Sequence, residues 1–440
     1  MLIHIVEPGE TAYGIAARYG VSPARLLADN GLSASDTLAV GQALLVLIPA
    51  EVYTVQPGDT LYSIAGAAGT SVLALVQNNP YLTDADALRP GEELVLRYTG
   101  DKRRSVYTTG YAYPYINRNV LYRALPYLSY LTIFGYGFTE TGDLIGIDDV
   151  PLIEAARAFG AAPVMLLSSI TESGNFNSAR ASRLFNDADL QATVLDNVLA
   201  TMQQKGYAGL DIDFEYIDPA DREAFVAFVA AAEQKLSPYG YFVNTDLAPK
   251  TSAAQSGLLY EAHDYAALGE ASDTLFLMTY EWGYTYGPPL AVAPIDQVRR
   301  VVDYAVSEID PVKLLLGIPN YGYDWQLPYE KGVTAARSLG NEEAVALAAR
   351  YGAEIEYDAA SAAPYFYYTD TEGNAHVVWF EDVRSMLAEY DLMDAYDLRG
   401  AGYWNVMRPF AQNNALLASL YDIKKPGGDQ KHEKGRKSNA

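Results

Sequence analysis

The sequence predicts an α/β protein: a (β/α)8 TIM barrel that carries a small α+β insertion and is preceded by two βααβ domains. Three observations lead there. Two segments near the N-terminus repeat each other at an interval of 49 residues. From Val106 onward, apolar strand-like runs alternate with amphipathic helical stretches over about 300 residues, which favours a closed parallel barrel over an open sheet. One of those runs, Gly209-Leu210-Asp211-Ile212-Asp213-Phe214-Glu215, sets three carboxylates on alternate positions.

The repeat comes first in the chain. His4-Ile5-Val6-Glu7-Pro8-Gly9-Glu10-Thr11 returns as Tyr53-Thr54-Val55-Gln56-Pro57-Gly58-Asp59-Thr60, and Ile15-Ala16 as Ile64-Ala65. Further along, Asn30 aligns with Asn78, and Leu38, Gly41 and Leu44 with Leu88, Gly91 and Leu94. Each unit reads as a strand, a Pro-Gly turn, a helix opened by Thr11 or Thr60 as N-cap, a second helix running to Asn, and a closing strand. Two small domains are expected, at 1–49 and 50–98. Over residues 3–48 and 52–97 the spacing resembles the LysM module, above all in its Pro-Gly-Asp/Glu-Thr opening. That resemblance implies a βααβ fold that binds N-acetylglucosamine-containing glycans. The short linker from Tyr98 to Ser105 permits a docked or a mobile arrangement.

The barrel is expected over 105–423. Its strands begin with Val106 to Tyr113, Tyr130 to Phe134 and Pro163 to Leu167, with the acidic run as the fourth. Tyr241 to Thr245, Thr274 to Tyr280, Lys313 to Ile318 and Ala401 to Val406 complete eight, with Leu190 to Lys205 and Asp221 to Leu236 among the intervening helices. In such barrels catalytic side chains gather at strand C-termini, where Asp213 and Glu215 lie. One connection is unusually long. Within it Glu354 to Tyr357, Tyr365 to Tyr368 and Val377 to Phe380 read as short strands, the last two flanking the turn Asp370 to Asn374. An insertion at about 324–398, forming one wall of a cleft, is expected. The tail 424–440 holds six Lys or Arg and is expected to be disordered, with attraction to an anionic wall polymer as a second reading.

Composition excludes several classes of function. With 31 basic and 55 acidic residues the net charge is -24, which repels phosphate backbones and anionic lipid heads, so no nucleic acid and no membrane partner is expected. There is no cysteine, hence no disulfide, zinc thiolate or thiol nucleophile. His4, His263, His376 and His432 are scattered without ligand spacing, so no metal site is expected, and no other cofactor is expected either. No basic segment followed by a long apolar one opens the chain, so no secretory signal is predicted, and no apolar run approaches a membrane span. A monomer is expected.

The chemistry centres on the acidic strand. Alternate side chains share a face, so Asp211, Asp213 and Glu215 point one way. A solvated strand alternates too, but its polar face usually mixes signs. Crowding three carboxyls raises at least one pKa, and like-charge repulsion from its neighbours is expected to keep Glu215 protonated near neutral pH, as a general acid requires.

Gly209 to Glu215 resembles the D-x-x-D-x-D-x-E signature of glycoside hydrolase family 18, the chitinase-type barrels. The resemblance implies that Glu215 protonates the glycosidic oxygen, Asp213 orients the substrate's 2-acetamido group, and Asp211 holds Asp213 in one protonation arrangement. The mechanism it implies is substrate-assisted: the acetamido oxygen, not an enzyme carboxylate, attacks the anomeric carbon. Met278-Thr279-Tyr280-Glu281-Trp282 is similar to the family's M-x-Y-D motif, so Tyr280 inherits the hold on the acetamido group, with Glu281 and Trp282 beside the sugar. Trp404 fits the last-strand tryptophan that floors the scissile sugar. Tyr403, Asn320, Tyr321 and Tyr323 are further cleft candidates. Two positions depart from the family pattern: Ala208 replaces its first Asp, and Glu281 replaces the Asp of M-x-Y-D. These put pKa tuning and substrate preference in doubt rather than the reaction.

Two LysM-like units joined to this barrel, with the run Met278 to Ile295, resemble the spore-germination glycosidases of that family, over the chain up to about Ile423. The resemblance implies an N-acetylglucosaminidase acting on spore-cortex peptidoglycan or its fragments, associated with the spore and made in the mother cell without a signal peptide. Two alternatives stay open: a chitinase or chito-oligosaccharide hydrolase, and a non-catalytic glycan-binding coat protein.

Overall fold

Antiparallel pairing of first and last strands closes both N-terminal units in the computed structural model, which describes residues 1–82, 88–171 and 173–427. In the first unit β1 (Leu2–Ile5) pairs with β2 (Ala43–Val46), and in the second β3 (Pro49–Thr54) pairs with β4 (Glu93–Tyr98). Two helices lie between each pair: Ala12–Tyr19 and Pro23–Asp29, then Leu61–Ala68 and Val72–Asn78. Thr11 accepts from the Gly14 N–H, and Thr60 forms a reciprocal capping box with Ser63. Small apolar cores around Ile15, Leu26 and Leu44, and around Ile64, Leu75 and Leu94, hold the helices to the strands.

The internal alignment needs one correction. Asn30 Nδ2 donates to Leu26 O and Leu45 O while its Oδ1 accepts from the Leu45 N–H. In the second unit the same three bonds, to Leu75 O, Val95 O and the Val95 N–H, are made by Asn79. Asn79, not Asn78, is therefore the counterpart of Asn30. Each asparagine ends a helix and ties it to the closing strand, and that geometry, not residue spacing, sets the equivalence.

The barrel strands are β5 (Arg104–Ala112), β6 (Tyr130–Phe138), extended by the short antiparallel β7 (Leu144–Ile145), then β8 (Ala162–Ser168), β9 (Gly209–Asp213), β10 (Phe242–Leu247), β11 (Thr274–Leu277) and β12 (Leu314–Pro319). A five-stranded antiparallel sheet follows: β13 (Gly322–Leu327), β14 (Arg337–Leu339), β15 (Glu356–Asp358), β16 (Ala363–Thr369) and β17 (Ala375–Trp379). The barrel resumes with β18 (Gly400–Trp404), and β19 (Tyr421–Ile423) lies along the start of β5. All eight barrel strands pair in parallel, and β18 with β5 and β5 with β6 close the circle.

The inserted sheet packs under the helix Asn341–Tyr351, around Leu339, Ala348, Phe366 and Val378. It contains two strands, β13 and β14, that the sequence reading missed. The helix Val383–Ala395, which falls inside the expected range 324–398, instead packs against the helices Ile295–Glu308 and Ala411–Leu420 in the barrel's outer ring. Its buried Val383, Met386, Tyr390 and Met393 form an apolar face that belongs to the main core.

Both N-terminal units are docked. Gln412 Nε2 donates to Asn30 Oδ1 (2.8 Å) and Ala43 O (2.7 Å), joining the barrel to the first unit. Arg25 of the first unit donates to Asn78 O and Asn79 Oδ1 of the second, both at 2.6 Å. Gln77 and Tyr127 exchange bonds with backbone carbonyls across the contact between the second unit and the barrel. The first unit also meets the insertion, where the Ile355 N–H donates to Val40 O. The next residue must be glycine: Gly41 has φ +78°, and a Cβ there would lie 2.0 Å from Ile355 O.

The start of the expected tail is held as well. Lys425 Nζ donates to Leu125 O (2.7 Å) and Leu128 O (2.5 Å), so 424–427 are ordered against the barrel, and 428–440 lie outside the described residues. Among the described residues no helix is long and apolar enough to cross a membrane.

Candidate active site

Strand β9 is a lever set by its apolar half. Leu210, Ile212 and Phe214 are buried in the core, where the Phe214 ring meets Phe185 at 5.3 Å and Phe228 at 5.9 Å. Burying each stabilises the fold by roughly 1.5–3 kcal/mol. A one-residue slip would reverse every side chain, so this apolar packing forces Asp211 and Asp213 into the barrel. The neighbouring strand does the same with Asn244 and Asp246, and the register sets Asn244 directly beside Asp211.

The carboxyls are organised by neutral donors. Asn244 Nδ2 donates to Asp211 Oδ1 (2.7 Å) and Asp246 Oδ1 (3.1 Å), and the Tyr111 hydroxyl donates to Asp246 Oδ1 (2.8 Å). Thr274 fixes the amide by donating to Asn244 Oδ1 (2.8 Å). Asp213 is only 4% exposed, and its Oδ1 has no partner among the described residues. An unpaired buried acceptor is costly, of order 1–3 kcal/mol, unless a ligand or water completes it.

Burial raises the pKa of every acid here, because a carboxylate loses hydration. Asp213 is pushed well above the usual range by burial, then by Glu215 and Asp211; Asp246 likewise by burial, Asp211 and Asp213. Asp211 is raised by burial against the opposing hydrogen bonds of Asn244 and Tyr111. Glu215 is raised too, first by burial and then by Glu281. The expected source, repulsion from Asp211 and Asp213, is thus corrected. The repulsion between Glu215 and Asp213 appears at Asp213, whose pKa Glu215 raises.

Glu281 lies in the loop four residues beyond the sixth strand, in a left-handed conformation, φ +71°. Tyr321 and Tyr323 both donate to its Oε1, the latter at 3.0 Å, opposing the rise that burial imposes on it. The five side chains Asp213, Glu215, Asp246, Tyr280 and Glu281 line one cleft of about 530 Å3 together with Trp404. Trp404 is braced edge-on by Tyr111, Tyr113 and Phe134 at 5.7, 6.1 and 5.5 Å. Among the described residues no group of three or more His, Asp or Glu is arranged to hold a metal ion. The arrangement offers a carboxyl whose pKa burial raises, a buried acceptor and an aromatic wall in one hexose-sized space.

Residues 108–408 match the model of glycosyl hydrolases family 18, and 4–46 and 53–97 each match the LysM domain. The chain belongs to glycosyl hydrolases family 18. It is 37% identical over 428 residues to the cortical fragment-lytic enzyme of Bacillus cereus, covering 96% of this chain and 99% of that one. The crystal structure of the Bacillus cereus spore cortex-lytic enzyme SleL matches with a TM-score of 0.82 at 36% identity, over 97% of this chain and 99% of that one. A chitinase from Chromobacterium violaceum matches with a TM-score of 0.66 at 26% identity, over 72% of this chain and all of that one, 100%.

Within this family 18 barrel, the expected site residues divide. Asp213, Glu215, Tyr280, Glu281 and Trp404 share the cleft, with Asp211 directly beneath. Trp282 lines an adjoining groove with Gln255 and Gln297, which meets the cleft at Tyr280 and Glu281. Three candidates lie elsewhere. Tyr403 alternates with Trp404 on β18, so it faces the helices, is buried, and bonds the Tyr390 hydroxyl at 2.7 Å. Asn320 is buried with its Nδ2 donating to Asn405 O and Arg408 O, away from the cleft. Tyr321 is buried and serves Glu281 rather than the cleft wall. The sequence reading missed Asp246, Asn244, Tyr111, Tyr113 and Phe134. The polar alternation Asn244-Thr245-Asp246 at the end of the fifth strand was the available signal for the first two.

Proposed function

We propose that this chain is an N-acetylglucosaminidase of the spore, hydrolysing β-1,4 bonds on the reducing side of N-acetylglucosamine in cortex peptidoglycan or its fragments during germination, with retention of configuration. The observation that carries the reading is the unpartnered, buried Asp213 Oδ1 in the same cleft as the buried acid Glu215. Kinship over nearly the full length with cortical fragment-lytic enzymes supports the choice of polymer.

Glu215, kept protonated by burial and by Glu281, donates its proton to the glycosidic oxygen. The substrate's acetamido oxygen forms a bond to the anomeric carbon as the bond to the leaving sugar breaks, giving a cyclic oxazolinium ion. Asp213 accepts the acetamido N–H, orienting the group and stabilising its positive charge, while Asp211, anchored by Asn244, holds Asp213 in place. Tyr280 steadies the acetamido oxygen, and Trp404 covers the apolar face of the sugar. Water then attacks the anomeric carbon from the face that the leaving sugar vacated, breaking the bond to the acetamido oxygen and giving its proton to the Glu215 carboxylate. The LysM units raise the local concentration of polymer at the cleft.

Glu215→Gln is expected to lower kcat by about 10²–10⁴-fold while glycan binding persists. Mass spectrometry of products from purified cortex reads the bond that is cut: N-acetylglucosamine at the new reducing ends is the expected outcome. Wild-type turnover in the variant would remove the acid from Glu215. The likeness to a chitinase barrel supports a second reading, chito-oligosaccharide hydrolysis by the same residues, and faster release from chitin than from cortex would establish it.

A further inference from the structure

Between the N-terminal units and the barrel lies a second cavity, of about 360 Å3. Three bodies wall it. The first N-terminal unit supplies Ser33 and Asp36, the second supplies Tyr81, and the barrel supplies Arg123, Asn320 and Arg408. It exists only because the units are docked through Gln412 and Arg25, so it is preformed, and its volume falls in the roughly 300–1,000 Å3 range of small-ligand sites.

Its chemistry is that of a sugar site. Asn320 is 6% exposed, and its amide orientation is fixed because Nδ2 donates to Asn405 O (3.0 Å) and Arg408 O (2.9 Å). That leaves Oδ1 buried, with no donor among the described residues. An amide N–H or a hydroxyl in the cavity would complete it. Tyr81 offers a half-open aromatic ring and the Arg123 guanidinium offers donors to sugar oxygens, while Asp36, which already accepts from Ser33, keeps further lone pairs, and Arg408 lines the cavity with its guanidinium bonded to Ser338.

We infer that this composite cavity is a second glycan site, taking an N-acetylated amino-sugar unit between the LysM units and the barrel. The inference rests on the substrate class proposed above and adds to it a place where the barrel itself grips the chain away from the scissile bond. The segment from Trp404 to Arg408 separates the two spaces, with Trp404 lining the cleft and Arg408 the cavity. A long chain that reached both would bind with the advantage of linked sites.

Hydrogen–deuterium exchange of the full-length Glu215→Gln variant, with and without chitopentaose, tests this. Protection is expected in the cleft and also at 31–36, 80–82 and 405–410. Ala28→Trp, which fills the cavity from the first unit, is expected to abolish the second set and to weaken chitopentaose binding about tenfold; Tyr81→Ala replaces it should circular dichroism show that Ala28→Trp misfolds. Protection confined to the cleft, or a Kd unmoved by the variants, overturns the cavity site and leaves the proposed function standing. Protection in neither place overturns both.

Discussion

Glu215 and Glu281 are a pair whose electrostatics decide the working pH. The charge of Glu281 disfavours ionisation of Glu215, so removing it lowers the acid's pKa. Glu281→Gln is therefore expected to move the alkaline limb of the kcat/KM profile to lower pH, because the acid loses its proton sooner; a limb that stays in place would show burial acting alone. Asp213 links function to stability. Its folded pKa lies above the unfolded one, so the native state binds more protons than the unfolded state, and stability falls as pH rises from the ordinary carboxyl value of 3.8 through the raised one. Asp213→Asn removes that loss. Calorimetry is expected to show a Tm raised by roughly 2–4 °C at pH 7, no gain near pH 3, and activity strongly reduced.

At the scale of elements, the same device is used twice. A helix-ending asparagine offers its Oδ1 to a donor from another body: Asn30 to Gln412 of the barrel, Asn79 to Arg25 of the first unit. The barrel thus holds the first unit, and the first unit holds the second. Arg25→Ala leaves Asn78 O and Asn79 Oδ1 without that donor in a buried contact, at a cost of about 1–3 kcal/mol. Faster amide exchange in the helix Val72–Asn78, with β9 unaffected, is the expected signature. The insertion reaches the site in a similar way, since β13 begins beside Tyr321 and carries Tyr323, whose hydroxyls both serve Glu281.

The whole molecule carries a net charge of -24 while its proposed substrate is itself anionic, so long-range repulsion opposes their encounter. Raising ionic strength from about 0.01 to 0.1 M shortens the Debye length from roughly 30 to 10 Å, so sedimentation with purified cortex is expected to show more bound protein at the higher salt. The opposite trend would mean that the basic C-terminal segment, with six Lys or Arg after Ile423, governs the encounter.

Much of this was legible in the order of residues. Period-two alternation at Gly209 to Glu215 and the eight spaced apolar runs specify a barrel with an acid at the end of its fourth strand, because strand geometry converts local sequence directly into facing. The Thr11 and Thr60 caps are local in the same sense. Facing read one position at a time was less secure: Tyr403 and Asn320 sit beside strand ends yet turn away from the cleft. What the fold alone decided depends on residues far apart in the chain. Glu281 approaches Glu215, Asn244 and Tyr111 organise acids from other strands, and Arg25 and Gln412 fasten the small units to the barrel. Such pairings carry no sequence periodicity, since they arise only when closing the barrel brings non-neighbouring strand ends around one space.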